Sequence, residues 1–192
     1  TGTRAGITAG TRAVVNIAIA LTITALALLS PLPLIGQDWH TTSYARQVSG
    51  EERVRVDVEY GAGRLSLAPG SAGTLYRANL RYDAEAFTPQ ATYSGSRLRI
   101  GIEGNNSVRG RNLKEGHLDL RLSPNVPLDL ELAFGAADAT LELGGLRIRS
   151  AEVHTGASRT VLNVSTPNPE ECRLLELEVG AAQFEALGLG NL

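Results

Sequence analysis

From Arg53 onward, apolar residues return at every second position. Val54, Val56, Val58 and Tyr60 come first, then Leu65 and Leu67, with Arg55, Asp57, Glu59, Arg64 and Ser66 between them. A strand turns successive side chains to opposite faces, so this alternation predicts strands buried on one side only. The spacing recurs at Leu98, Ile100 and Ile102, at Leu118, Leu120 and Leu122, at Leu128, Leu130, Leu132 and Phe134, at Leu141 and Leu143, and from Val161 or Leu162 onward. Turn-forming residues separate these runs: Pro69-Gly70, Gly101 with Gly104-Asn105-Asn106, Gly110, Pro124-Asn125, Gly144-Gly145 and Pro167-Asn168-Pro169. No helical period follows residue 50. The predicted class for residues 53–192 is all-β.

A second regularity is superimposed on the first. Several strands end in a Gly-Ala pair followed by a small residue: Gly61-Ala62-Gly63, Gly135-Ala136-Ala137, Gly156-Ala157-Ser158 and Gly180-Ala181-Ala182. The last three glycines are 21 and 24 residues apart (156−135 and 180−156). A period of that length predicts a solenoid in which each repeat forms one coil stacked on the last. Two physical reasons favour small residues at such a corner: glycine tolerates positive φ in a sharp bend, and a coil about 4.8 Å away leaves no room for a large side chain.

The first fifty residues have a different character. Ala13 to Ile35 is 23 residues without a charge, preceded by Arg4 and Arg12. A helix rises about 1.5 Å per residue and crosses the roughly 30 Å hydrocarbon layer in about 20, so the stretch predicts one transmembrane helix. Pro31 and Pro33 would end it near Ser30, leaving 18 residues. The arginines before the run place residues 1–12 in the cytoplasm as an N-terminal stub and the rest outside. Ala25-Leu26-Ala27 supports a rival reading as a cleavable signal peptide with an apolar region from Ala13 to Thr24, although the residues after it, from Leu28 to Ile35, stay apolar. Both readings export the domain. Residues 36–52 read as a polar linker, with Trp39 and Tyr44 at the depth where aromatic rings favour the membrane interface.

Composition narrows the functional classes. There are 18 Lys and Arg against 20 Asp and Glu, a formal net charge of −2, which is not the footprint of a nucleic-acid binder. Cys172 is the single cysteine, so neither an intrachain disulfide nor a cysteine zinc site can form, and no lipid-bearing cysteine lies near the apolar run. The chain begins at Thr1 and holds no Met, which reads as a fragment or processed form, and the coil pattern is still running at Gly190-Asn191-Leu192.

Candidate chemistry is sparse. Asp57 with Glu59, Asp129 with Glu131, and Glu176 with Glu178 are carboxylates two residues apart, about 6.5 to 7 Å along a strand, near the spacing of an inverting glycosidase. Alternation places them on the polar faces with Arg53, Arg55, Arg147 and Arg149, and they read as solvated strand positions. Glu170-Glu171 beside Pro169 reads as a turn. His40, His117 and His154 are far apart in sequence and predict no metal site. Gly156-Ala157-Ser158-Arg159-Thr160 lacks the second glycine and the helix of a nucleophile elbow, and Gly61-Ala62-Gly63-Arg64-Leu65-Ser66 lacks the third glycine of a dinucleotide fingerprint. Arg109, Arg111 and Lys114 read as a solvated basic loop, and Asn105-Asn106-Ser107 and Asn163-Val164-Ser165 match the glycosylation pattern. No catalytic, cofactor or metal residues are assigned, and no small-molecule substrate is expected.

The run Val58-Glu59-Tyr60-Gly61-Ala62-Gly63-Arg64-Leu65-Ser66-Leu67-Ala68-Pro69-Gly70, with Leu75, Tyr82-Asp83 and Pro89 after it, resembles the N-terminal signature of bacterial toast-rack domains. Leu128 to Phe134 with Gly135-Ala136, then the coils to Leu192, resembles the later half of that family, which includes LiaF-like cell-wall-active antibiotic response proteins and related candidate adhesins. The resemblance covers about residues 53 to 192. It implies a right-handed, parallel β-helix-like solenoid behind membrane helices, with LiaF-like members restraining an envelope-stress sensor kinase. Regulatory members often carry several membrane helices, whereas one is visible here. The expectation is a membrane-tethered, non-enzymatic module that presents a flat, pocketless, mixed-charge slab to a protein partner, or alternatively a secreted adhesin or polysaccharide-binding module.

Overall fold

The computed structural model describes residues 39–104 and 116–192. The stub, the apolar stretch 13–35, Asn105-Asn106-Ser107 and the loop of Arg109, Arg111 and Lys114 lie outside them. Among the described residues no helix is long and apolar enough to cross a membrane.

Within the unit Gln37–Leu192 the chain forms β1 (Trp39–Gln47), β2 (Val54–Pro69), β3 (Thr74–Asp83), β4 (Phe87–Ser94), β5 (Arg97–Gly104), β6 (His117–Leu122), β7 (Pro127–Glu142), β8 (Arg147–Thr155), β9 (Arg159–Asn163), β10 (Leu174–Val179) and β11 (Gln183–Leu187), with a short 3-10 turn at Leu189–Asn191. The alternation that predicts strands is what buries them. Along β7, Leu128, Leu130, Leu132 and Phe134 are buried, and the residues between them are partly exposed.

The two long strands set the architecture. β2 and β7 run parallel and in register from Val54 opposite Leu128 to Leu67 opposite Leu141. Each exchanges neighbours halfway along. The first half of β2 pairs with β5 and the second with β6, while the two halves of β7 pair with β8 and β9. β10 and β11 extend β8 and β9, again in parallel. Two walls result: β4-β5-β2-β7-β8-β10 on one side and β1-β3-β6-β2-β7-β9-β11 on the other, both sending apolar side chains into one core. Its rows follow the register, as in Val58, Ile100, Leu132, Val153 and Leu177. Parallel neighbours repeat the same residue class at the same height, which is how coils stack into a solenoid.

Three expectations need correction. Coils were expected to stack in chain order, yet β2 lies in the middle, because β3 to β6 loop back to its far side before β7 continues on the near side. The parallel pattern also stops at that far side: β4 on β5, β3 on β6 and β1 on β3 are antiparallel. Finally, the residues read as a linker hold a strand. In β1, Thr42 bonds the Tyr82 hydroxyl at 3.3 Å, Tyr44 packs on the core, Ser43 donates to Asn79 at 2.8 Å, and Trp39 lies under the Arg81 guanidinium at 4.4 Å from the ring centre. An edge strand with so few apolar inward positions does not announce itself by alternation.

Some of the corners owe their glycines to crowding. A side chain at Gly135 would place its β-carbon 2.6 Å from the Gly61 carbonyl oxygen, and one at Gly180 would lie 3.2 Å from that of Gly156. Of the corner glycines only Gly63 has a positive φ, at 120°. The close-approach argument therefore holds at Gly63, Gly135 and Gly180 but not at Gly61, where a β-carbon would meet nothing within 4 Å, or at Gly156, where it would sit at an ordinary 3.4 Å, and the backbone-bend argument applies at Gly63 alone.

Candidate functional site

Five parallel strands of the first wall carry their polar side chains to one outer face. Register aligns Arg99, Asp57, Glu131, Glu152 and Glu176 in one row across β5, β2, β7, β8 and β10. The next row holds Gly101, Glu59, Ala133, His154 and Glu178. All three carboxylate pairs singled out from the sequence, Asp57 with Glu59, Asp129 with Glu131, and Glu176 with Glu178, thus share this face. Spacing along each strand gives the pairs, but only the parallel stacking brings them together.

Charge is distributed unevenly along the rows. At the β5–β2 end, Asp57 is 6% exposed beneath arginines. Arg97 donates to its Oδ2, Arg55 Nε to its Oδ1 at 3.1 Å, and Arg99 lies 3.6 Å away. Burial pushes the Asp57 carboxyl up, but the hydrogen bonds from Arg97 and Arg55 outweigh it and hold the group below the usual carboxylate range. Arg55 also donates to Glu131 at 2.5 Å, which raises its own pKa. Asp129 takes Arg53 at 3.4 Å and the Ser150 hydroxyl at 3.1 Å. At the β8–β10 end the residues are Glu152, Glu176, Glu178 and one histidine. His154 Nδ1 sits 2.9 Å from Glu178 Oε2, and the hydrogen bond to Glu178, reinforced by the charges of Glu178, Glu176 and Glu152, raises the imidazole pKa.

Between these ends the face is dished into an open trough of about 1040 Å³, lined by Arg97, Arg99, Gln90, Glu131, His154 and Glu178 among others. This corrects the expected flat, pocketless slab. The dish lies against the corner glycines Gly61, Gly135, Gly156 and Gly180, where nothing projects from the backbone.

The other sequence candidates occupy separate places. His40 lies on β1 beside the Tyr82 ring and His117 on β6 in the second wall, so the three histidines are on three different strands. Among the described residues no three His, Cys, Asp or Glu side chains gather as a metal site. Ser158 is buried at a corner, where its hydroxyl shares hydrogen bonds with those of Thr155 and Thr160. The Gly61-to-Ser66 run lies inside β2. Glu170 is bound by Arg147, and Asn163 and Ser165 both donate to Glu142, Asn163 at 2.7 Å. Cys172 is a half-buried free thiol whose Sγ lies 3.4 Å from the Leu174 carbonyl.

Comparison with known proteins adds the family. Residues 35–185 match the model of the "N-terminal domain of toast_rack, DUF2154". The chain belongs to the toast-rack family. The match begins just before β1, which agrees with that strand being part of the toast-rack fold. Among solved structures, a "putative cell adhesion protein" from Clostridium sporogenes is similar with a TM-score of 0.59 and 11% identity, over 77% of this chain and 99% of that one. At that identity the likeness is one of fold. A "putative adhesin" from Parabacteroides distasonis aligns with a TM-score of 0.36 and 12% identity over 66% of this chain and 58% of that one, too loosely to support any argument. No curated protein matches the chain.

Proposed function

We propose that this toast-rack domain is a non-enzymatic protein-interaction module, held outside a bacterial membrane by residues 13–35, whose first-wall outer face engages an envelope protein in stress signalling. The observation that carries the reading is the paired arrangement of that face. Arg97, Arg55 and Arg99 are engaged with Asp57 and Glu131 in a fixed network of ion pairs, and the trough is wide and open rather than a closed apolar cavity. Small-molecule sites are usually concave and largely apolar. A broad, prearranged charge pattern suits orientation of a macromolecular partner, since charge complementarity governs encounter and register.

The secreted-adhesin reading has one specific support, the fold shared with the "putative cell adhesion protein" of Clostridium sporogenes. Fractionation followed by a carbonate wash separates the two readings. Recovery with the membranes supports the tether, whereas a soluble exported protein beginning at Leu28 overturns it. Crosslinking from Arg99→Cys in intact cells then tests the face. A specific envelope protein, lost on Glu131→Lys with Glu178→Lys, supports the signalling reading, and capture of glycans alone moves the assignment to adhesion.

A further inference from the structure

Apart from the trough, a second open hollow of about 920 Å³ lies where the first-wall strands begin. It is bordered by Arg46 at the end of β1, by the connection that runs on to Arg53, by the tip of the β4–β5 hairpin beside Tyr93, and by Arg149 of β8. Three arginines from separate parts of the chain thus share one space.

Each of the three is held in place by the fold. The Arg46 guanidinium lies over the Tyr93 ring, 4.4 Å from its centre, and its Nε is 3.7 Å from Glu51. Arg53 is steadied by Asp129, 3.4 Å from its Nε, with the side chain still 58% exposed. Arg149 owes its position to a β-bulge. Leu128 stands opposite Ile148 and Asp129 opposite Ser150, so Arg149 is the extra residue between them. The Ser150 hydroxyl donates to Asp129 at 3.1 Å, and among the described residues Arg149 makes no ion pair. Bulges re-aim side chains in this way and are frequent beside functional sites.

Two acids also line the hollow, with unequal effect. The Glu51 side chain is 7% exposed and is engaged within its own connection, accepting from the Ser49 amide at 2.7 Å and from the Ser49 hydroxyl at 3.0 Å. Glu52 is exposed at the rim and is the charge that opposes an anion.

We propose that this hollow is a phosphate-binding site. Guanidinium groups hold phosphate oxygens through forked N–H donors. Arg46 and Arg53 make their closest approach to a carboxylate through Nε, so each fork keeps further donors for a ligand, and the whole Arg149 fork is available. A tetrahedral phosphate presents oxygens in several directions and can be shared by forks from three sides, whereas a planar carboxylate matches one fork. The site goes beyond the interaction reading above and requires neither the tether nor a partner on the first-wall face. The shared chemistry is a phosphate group, carried by a lipid headgroup or by a soluble ligand.

The test uses the full chain in maltoside micelles, with calorimetry and amide hydrogen exchange as the measurements. Inorganic phosphate and glycerol 1-phosphate are the soluble probes, dihexanoyl phosphatidylglycerol is the lipid probe, and acetate is the carboxylate control. The expected result is saturable binding of inorganic phosphate that weakens at high salt and slows exchange at residues 49–53 and 149–150. Arg149→Gln is expected to weaken it at least about tenfold, as loss of a charged hydrogen-bond donor does, and Arg149→Lys by less. Glu52→Gln should tighten binding, and Arg77→Gln, on β3 in the second wall, should leave it unchanged. Tighter binding of the lipid probe than of glycerol 1-phosphate assigns the site to a headgroup, and the reverse order assigns it to a soluble ligand. Absence of saturation, acetate bound as well as phosphate, or equal losses from Arg149→Gln and Arg77→Gln overturns the proposal. The fractionation and crosslinking above leave these outcomes unaffected.

Discussion

Gly135 lies over Gly61 so closely that a β-carbon on Gly135 would sit 2.6 Å from the Gly61 carbonyl oxygen, whereas one on Gly61 would meet nothing within 4 Å. Two glycines that look equivalent in sequence thus face opposite constraints, because one corner abuts the next and the other looks onto solvent. Gly135→Ala is expected to cost about 1–3 kcal/mol, as overpacking against a rigid neighbour does. Gly61→Ala is expected to stay within about 0.5 kcal/mol, like a surface substitution. Urea unfolding of the two variants side by side checks the pair, and equal losses would show that the corners do not stack this closely.

His154 and Glu178 make the last coil sensitive to pH. The imidazole pKa is raised in the folded state, so the pair's contribution to stability is fully present below the unfolded histidine value and is lost as pH rises through the folded one. Exchange protection of β10 amides is therefore expected to fall from mildly acidic to neutral pH and above. His154→Gln should flatten that dependence. Protection of β1 amides, on the far edge of the other wall, serves as the control.

Asp57 makes the opposite prediction. Arginine hydrogen bonds hold its carboxyl below the usual range, so its stabilisation is complete above the unfolded value and is lost as pH falls through the lowered one. Asp57→Asn is expected to cost about 1–3 kcal/mol at neutral pH, because Arg97 and Arg55 lose the group that orders them. The variant should also lose part of the acid-induced unfolding below the ordinary aspartate pKa. Thermal melts at pH 7 and pH 3 compare the two proteins.

Leu132 is fully buried between Val58 and Val153 in the central core row. Leu132→Ala is expected to cost about 2–5 kcal/mol. Leu177→Ala, at the partly exposed end of the same row, is expected to cost clearly less. The difference between their chemical-unfolding midpoints reads the gradient of burial from the middle of the stack to the last described coil.

Glu142 ties two coils together, accepting hydrogen bonds from the Gly144 amide at 2.7 Å, from Asn163 at 2.7 Å, and from both the amide and the hydroxyl of Ser165. Burial pushes its carboxyl up, but the amides of Ser165 and Gly144 together with the side chains pull it below the ordinary glutamate value. Glu142→Ala should speed amide exchange at residues 163–165 while leaving β5 unchanged.

Much of the architecture was legible along the chain. Period-two alternation located β2, β5, β6, β7 and the run that begins β9, since a side chain either enters the core or leaves it and the residue type follows, but it did not single out β3 or β8 inside the walls. The 21- and 24-residue spacing of Gly135, Gly156 and Gly180 reported stacking, and at Gly135 and Gly180 a close backbone approach leaves little room for a side chain. The edge strands escaped this reading. β1, with Thr42 and Tyr44 facing inward, carries little apolar patterning, and β4, though it alternates half-buried Phe87, Pro89, Ala91 and Tyr93 with exposed polar residues, has a proline and an alanine among its inward positions, which weakens the strand signal.

The sequence by itself determined which face of each strand is buried and where the coils turn, because both depend on the chemistry of single residues and their immediate neighbours. Only the tertiary structure decided that β2 lies in the middle of the stack and that Arg97 reaches Asp57 across 40 residues. It also decided that three carboxylates from two strands, Glu152 of β8 with Glu176 and Glu178 of β10, lie side by side on the outer face. Those relationships depend on which strand lies beside which and in what register, and strands of the same alternation are interchangeable until the whole core is assembled.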